Sequence, residues 1–100
     1  MLILLPLDSN DEQNASLTLS TEAKYWAVID LDAGKIKKID FYKTREEIED
    51  FVDVVILPSK NDYCWPFIEE NIPVLIAPIQ RSIEDIIEAF LFKELYQLEA

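Results

Sequence analysis

One hundred residues make one domain, and nine Lys plus Arg against 20 Asp plus Glu give it a formal charge of −11. There is no histidine, one glycine and one cysteine, which excludes a Walker loop, a dinucleotide fingerprint, a zinc finger, a Cys–His or Ser–His pair and an intramolecular disulfide. A surface this acidic repels a phosphate backbone, so no nucleic-acid role is expected.

Half of the chain is hydrophobic and 11% is aromatic, enough to build a core rather than remain disordered. Met1 to Pro6 is apolar but has no basic flank and stops at Asp8. It is too short for a signal peptide or a bilayer span, so no membrane contact is expected. The unpaired cysteine fits a reducing cytoplasm.

Leu2 to Leu5 is an uninterrupted apolar run, the pattern of a strand covered on both faces. Asp8 to Thr21 is polar and reads as a long loop, and Tyr25 to Ile29 is aromatic and β-branched, a second strand. Asp32-Ala33-Gly34-Lys35 places the one glycine where a hairpin needs a left-handed residue. The return strand, Ile36 to Lys43, alternates, with Ile39 and Phe41 facing one way and Lys38 and Asp40 the other. Its lysines suit an exposed edge that must not pair with another chain.

Thr44 and Glu47 have capping-box spacing and predict a short helix ending near Phe51. Val52 to Leu57 is a buried-type strand closed by Pro58. Proline is comfortable only in a first turn, so Pro66 sets the next helix from Tyr63 or Cys64 to Asn71. Pro73 to Ala77 is another apolar strand. Ser82 caps the last helix, whose stripe runs Ile83, Ile86, Ile87, Phe90, Leu91 and Leu95. Apolar strands joined through helices imply parallel pairing, and the hairpin adds antiparallel strands. The prediction is one mixed α/β sheet of five strands with about three helices.

Three residue groups carry the candidate chemistry. Cys64 is the one soft metal ligand, placed in a first helical turn where free amides favour thiolate, with Lys60 nearby in sequence. The alternative is that Cys64 packs as a small hydrophobe. Tyr63, Trp65 and Phe67 cluster at the same helix start and form a candidate interaction patch, unless alternate members pack on the sheet. Asp8, Asp11, Asp30 and Asp32 lie near strand ends, where carboxylates can hold Mg²⁺ for phosphodiester cleavage. Antiparallel pairing, however, puts Asp8 and Asp30 at opposite edges of the sheet.

The run Ile3-Leu4-Leu5-Pro6-Leu7-Asp8 resembles the opening strand and turn of the dinitrogenase iron-molybdenum cofactor biosynthesis family, the NifX/NafY-like domains. Ala23-Lys24-Tyr25-Trp26-Ala27-Val28-Ile29-Asp30 is similar to its Ala-Pro-Tyr-Phe strand, and Gly34 stands in its hairpin. Val54-Val55-Ile56, Asn71-Ile72-Pro73-Val74 and the helix from Ser82 to Leu91 resemble its later elements in order and spacing.

The resemblance implies a ribonuclease-H-like three-layer fold with strand order 3-2-1-4-5, strand 2 antiparallel. It also implies a non-catalytic domain that binds or carries an iron–sulfur-type cofactor or precursor, working with metallocluster-handling proteins. On that reading Lys60 and Cys64 are the cofactor-binding residues.

The departures are specific. Leu19-Ser20-Thr21 stands where the family has His-Phe-Gly, and Lys43-Thr44-Arg45 replaces a Gly-rich turn. Pro58-Ser59-Lys60-Asn61-Asp62 replaces a Gly-x-x-Gly-Pro turn. These losses support a second reading, a protein-interaction domain that has lost cofactor binding. A metal-dependent hydrolase is a distant third.

Overall fold

Ile3 to Leu7 are buried without a break, so neither face of this segment can look out to solvent. In the computed structural model, which describes residues 1–98, the segment lies in β1 (Leu2–Leu7), inside the sheet. On one side β2 (Tyr25–Asp32) runs antiparallel to it, with Ile3 opposite Ile29 and Leu5 opposite Ala27. On the other side β4 (Val54–Leu57) runs parallel, with Ile3 opposite Val54. The hairpin strand β3 (Lys35–Tyr42) pairs with β2, β5 (Val74–Ile76) is parallel to β4, and β6 (Tyr96–Gln97) is antiparallel to β5. The order is β3-β2-β1-β4-β5-β6.

Strand alternation feeds two cores. Ile3, Leu5, Ala27, Ile29 and Ile56 pack beneath α2 (Ile83–Leu91) through Ile83, Ile86 and Ile87, with Ala15 and Leu17 of the long loop. Leu4, Trp26, Val28, Val55 and Leu57 face the other way, against Phe67 of α1 (Trp65–Glu69) and against Ile48 and Val52.

The hairpin turn is two residues long, with Ala33 at φ 52° and Gly34 at φ 78°, the positive pair that matches strand twist. Asp30 pairs with Lys38 but Leu31 pairs with Ile36, so Lys37 is the extra residue of a bulge. The one-residue shift turns Ile36 to the same side as Ile39, where both line one groove.

Three expectations are corrected. The helix from Thr44 to Phe51 is a single 3₁₀ turn, Arg45–Glu47. The Thr44 hydroxyl donates to the Glu47 carboxylate (3.3 Å) instead of accepting from an amide. Four of the residues from Glu46 to Asp50 are acidic, which leaves too few apolar positions for a buried stripe. Asp53 then draws the chain out straight, because its amide donates to the Leu2 carbonyl (2.8 Å) and its carboxylate accepts from the Leu2 amide (2.7 Å).

The last helix stops at Leu91, before Leu95. Lys93 turns left-handed (φ 58°), and the Glu94 and Lys93 amides donate to the carbonyls of Ala89 and Phe90. Leu95 still packs on the core, but from a bend that leads into β6. The sheet therefore has six strands rather than five and the described residues hold two helices rather than three. The first five strands follow the expected order, and Ser82 caps α2 as expected, its hydroxyl accepting from the Asp85 amide (3.1 Å).

One buried acid ties the long loop to the sheet. Asp62, 7% exposed, accepts from the Ser20 amide (2.8 Å), the Ser20 hydroxyl (2.7 Å) and the Tyr63 amide (2.7 Å). Asp62→Ala strands these donors, and the expected loss is about 2 kcal/mol of stability in urea unfolding. Lys93→Gly relieves the left-handed lysine, and thermal unfolding is expected to show a gain of about 1 kcal/mol.

Candidate functional site

The turn between β4 and α1 gathers most of the candidate residues. Pro58 ends the strand, the Ser59 hydroxyl accepts from the Asn61 amide (3.0 Å), and the Ser59 carbonyl accepts from the Asp62 amide (3.1 Å). Cys64 occupies the cap of α1, and its carbonyl accepts from the amides of Phe67 and Ile68. Pro66 falls in the first turn, where its missing amide costs no helical bond.

Helical rotation then separates the aromatic residues. Tyr63 is 59% and Trp65 57% exposed, whereas Phe67 is 2% exposed. Phe67 sits 6.1 Å from the Trp26 ring at an interplanar angle of 53°, with the Arg45 guanidinium 4.4 Å above its own ring. Arg45 is held there by Glu70 at 2.9 Å. Phe67 is thus a core residue, and the outward aromatic surface consists of Tyr63 and Trp65. Because Asp62 binds the Tyr63 amide and Ser20 together, this surface is fixed against the long loop.

Cys64 is partly buried and packs against the cluster that contains Trp26 and Phe67. Lys60 is exposed and lines a groove with Ile76, Pro78 and Tyr96, a groove that Cys64 does not line. The pair expected to share a cofactor site therefore has separate surroundings. Among the described residues no three Cys, Asp or Glu side chains converge as a metal site. One thiol does not fit a cluster held by this chain alone, since such clusters usually take four cysteines.

The aspartates do not assemble either. Asp30 lies opposite Leu2 while Asp8 follows the far end of β1, roughly 20 Å along the strand. Asp30 stands 3.9 Å from the Met1 amino group, and Asp8 accepts from the Ser16 amide (2.8 Å). Asp11 accepts from the Gln13 amide and from the Asn14 side chain, and the Asn14 amide group holds its carboxyl below the usual carboxylate range. Asp8 and Asp11 are turn formers in this fold, and Asp30 is a strand residue of β2.

Sequence reasoning missed Asp62 and Arg45. The polar run from Pro58 to Asp62 marks a turn, but Ser20, the partner that buries Asp62, is 42 residues away. Arg45 stood in a segment read as a helix start, with nothing local to signal Phe67 beneath it.

No protein-family model and no curated protein matches this chain. Among solved structures it is similar to MJ0327 of Methanocaldococcus jannaschii, a protein provisionally named a dinitrogenase. The crystal structure of that protein gives a TM-score of 0.76 at 14% identity over 99% of this chain and 95% of that one. Its NMR structure gives 0.78 at 16% identity over 100% and 94%. The crystal structure of PH0822 gives 0.75 at 16% identity over 97% and 96%. Near-complete coverage of both chains at such low identity shows a shared fold, and that fold is the α/β mixed sheet described above.

Proposed function

We propose that this chain is a non-catalytic binding domain of the dinitrogenase cofactor biosynthesis type, with the ribonuclease-H-like architecture which that resemblance implies. Its working surface is the rim formed by Tyr63 and Trp65, and its partner is another protein, one that handles metalloclusters. The observation that carries this reading is the pair of large aromatic side chains left more than half exposed on a turn that a buried carboxylate holds in place. Trp and Tyr on a rigid support lose little conformational entropy on contact, which is why they dominate interface energetics. The likeness to MJ0327 supports the dinitrogenase-related part of the reading.

The second reading is a carrier of an iron–sulfur-type cofactor or its precursor, with Cys64 as one ligand and Lys60 as a nearby positive charge. The fold likeness favours it. The surroundings of Cys64 limit it to sharing ligation with the cluster's own groups or with the delivering protein.

Trp65→Ala is expected to abolish capture of a specific partner from a lysate of the source cells while circular dichroism and the melting temperature stay unchanged. An identical captured set would remove the interaction reading. Anaerobic incubation of the chain alone with ferrous iron and sulfide, followed by native mass spectrometry, is expected to show no retained iron. Iron that is retained by the wild type and lost in Cys64→Ala would establish the carrier reading instead.

A further inference from the structure

A groove of about 580 Å³ opens at the carboxyl ends of the parallel strands β4 and β5, where α/β sheets commonly place ligands. Ile76, Pro78, Tyr96 and Leu98 supply its apolar wall, and Lys60 and Asn61 stand on its polar side. Its charge sets it apart on a chain of −11. The concavity beside Phe51 is lined by Asp50 and by Glu70 with its partner Arg45, the one between β3 and α2 by Glu12 and Glu84, and the one beside Ile79 by Asp85, Glu88 and Glu94, so each carries a net negative lining. Among the described residues, Lys60 is the one charged side chain that lines the β4–β5 groove, and no carboxylate lines its wall. Lys60 also forms no ion pair among the described residues, whereas Lys38 is paired with Asp40 and Arg45 with Glu70.

We propose that this groove binds a small amphipathic carboxylate, its hydrocarbon body along Ile76, Pro78, Tyr96 and Leu98 and its head at Lys60 and the Asn61 side chain. Apolar burial supplies the attraction and Lys60 selects the sign. A cationic amphiphile would be drawn instead to the three acid-lined concavities. The site is separate from Tyr63, Trp65 and Cys64, none of which lines it.

The test is a titration of the ¹⁵N-labelled chain with octanoate, 1-octanol and octylammonium, followed by amide shifts. Octanoate is expected to move the amides of Lys60, Asn61, Ile76 and Tyr96 saturably, with 1-octanol binding more weakly and octylammonium perturbing the acid-lined concavities. Lys60→Glu, at an exposed position, is expected to lower octanoate affinity about tenfold, or about 1.4 kcal/mol. Tyr96→Ser is expected to weaken octanoate and octanol alike. Equal binding of octanoate and octanol, or an unchanged affinity in Lys60→Glu, would overturn the proposal. So would shifts of these amides that follow protein concentration without octanoate, which would give the groove to a second copy of the chain.

Discussion

The two-faced burial of β1 is the constraint from which the rest of the structure follows. A strand with Ile3, Leu5 and Leu7 turned one way and Leu4 the other needs an apolar layer on each side. It also needs a partner at each edge, because buried amides and carbonyls left unpaired are costly. The hairpin strand β2 meets one edge and β4 the other. Pro6 is tolerated inside this central strand because it lies past the last β4 pairing, at Leu4–Val55. Its carbonyl is taken by the Thr18 amide at 3.0 Å.

Meeting the second edge requires a parallel crossover, and the course of that crossover decides where exposed residues appear. After β3 the chain passes over the Trp26 face as an irregular strap, pinned by Arg45 on Phe67 and by Asp53 on Leu2. With no long helix there, α1 can be as short as Trp65–Glu69 and still complete the layer, since Phe67 packs beside Trp26 and Ile48, Val52 and Ile72 cover the same cluster. A short helix presents its start and its buried face within a few residues. For this reason Trp65 is outside and Phe67 is inside.

Charge is distributed to match. Lysines sit on the β3 edge, where Lys38 pairs with Asp40 and its ammonium is held above its ordinary range by that carboxylate. The groove beside Lys60, where the ends of β4, β5 and β6 meet, has no carboxylate among its described lining residues. The chemistry of that groove is set by the turns after β4 and β5 and by β6.

The sequence by itself determined the first five strands, the hairpin and the cap of the last helix. Each depends on neighbours within a few positions: the unbroken apolar runs of Ile3 to Leu7 and Val54 to Leu57, the left-handed glycine at Gly34, the Ser82 hydroxyl above the Asp85 amide. The exposure of Tyr63 and Trp65 was legible only as one of two packings. Tertiary structure decided which aromatic residue entered the core, turned a capping-box pattern at Thr44 into a strap, ended α2 before Leu95 and made room for β6. It also chose Asp62, among 20 acids, as the buried tie. Those outcomes depend on partners far away in the chain, such as Ser20 for Asp62, Leu2 for Asp53 and Leu75 for Gln97, so no local pattern of residues could carry them.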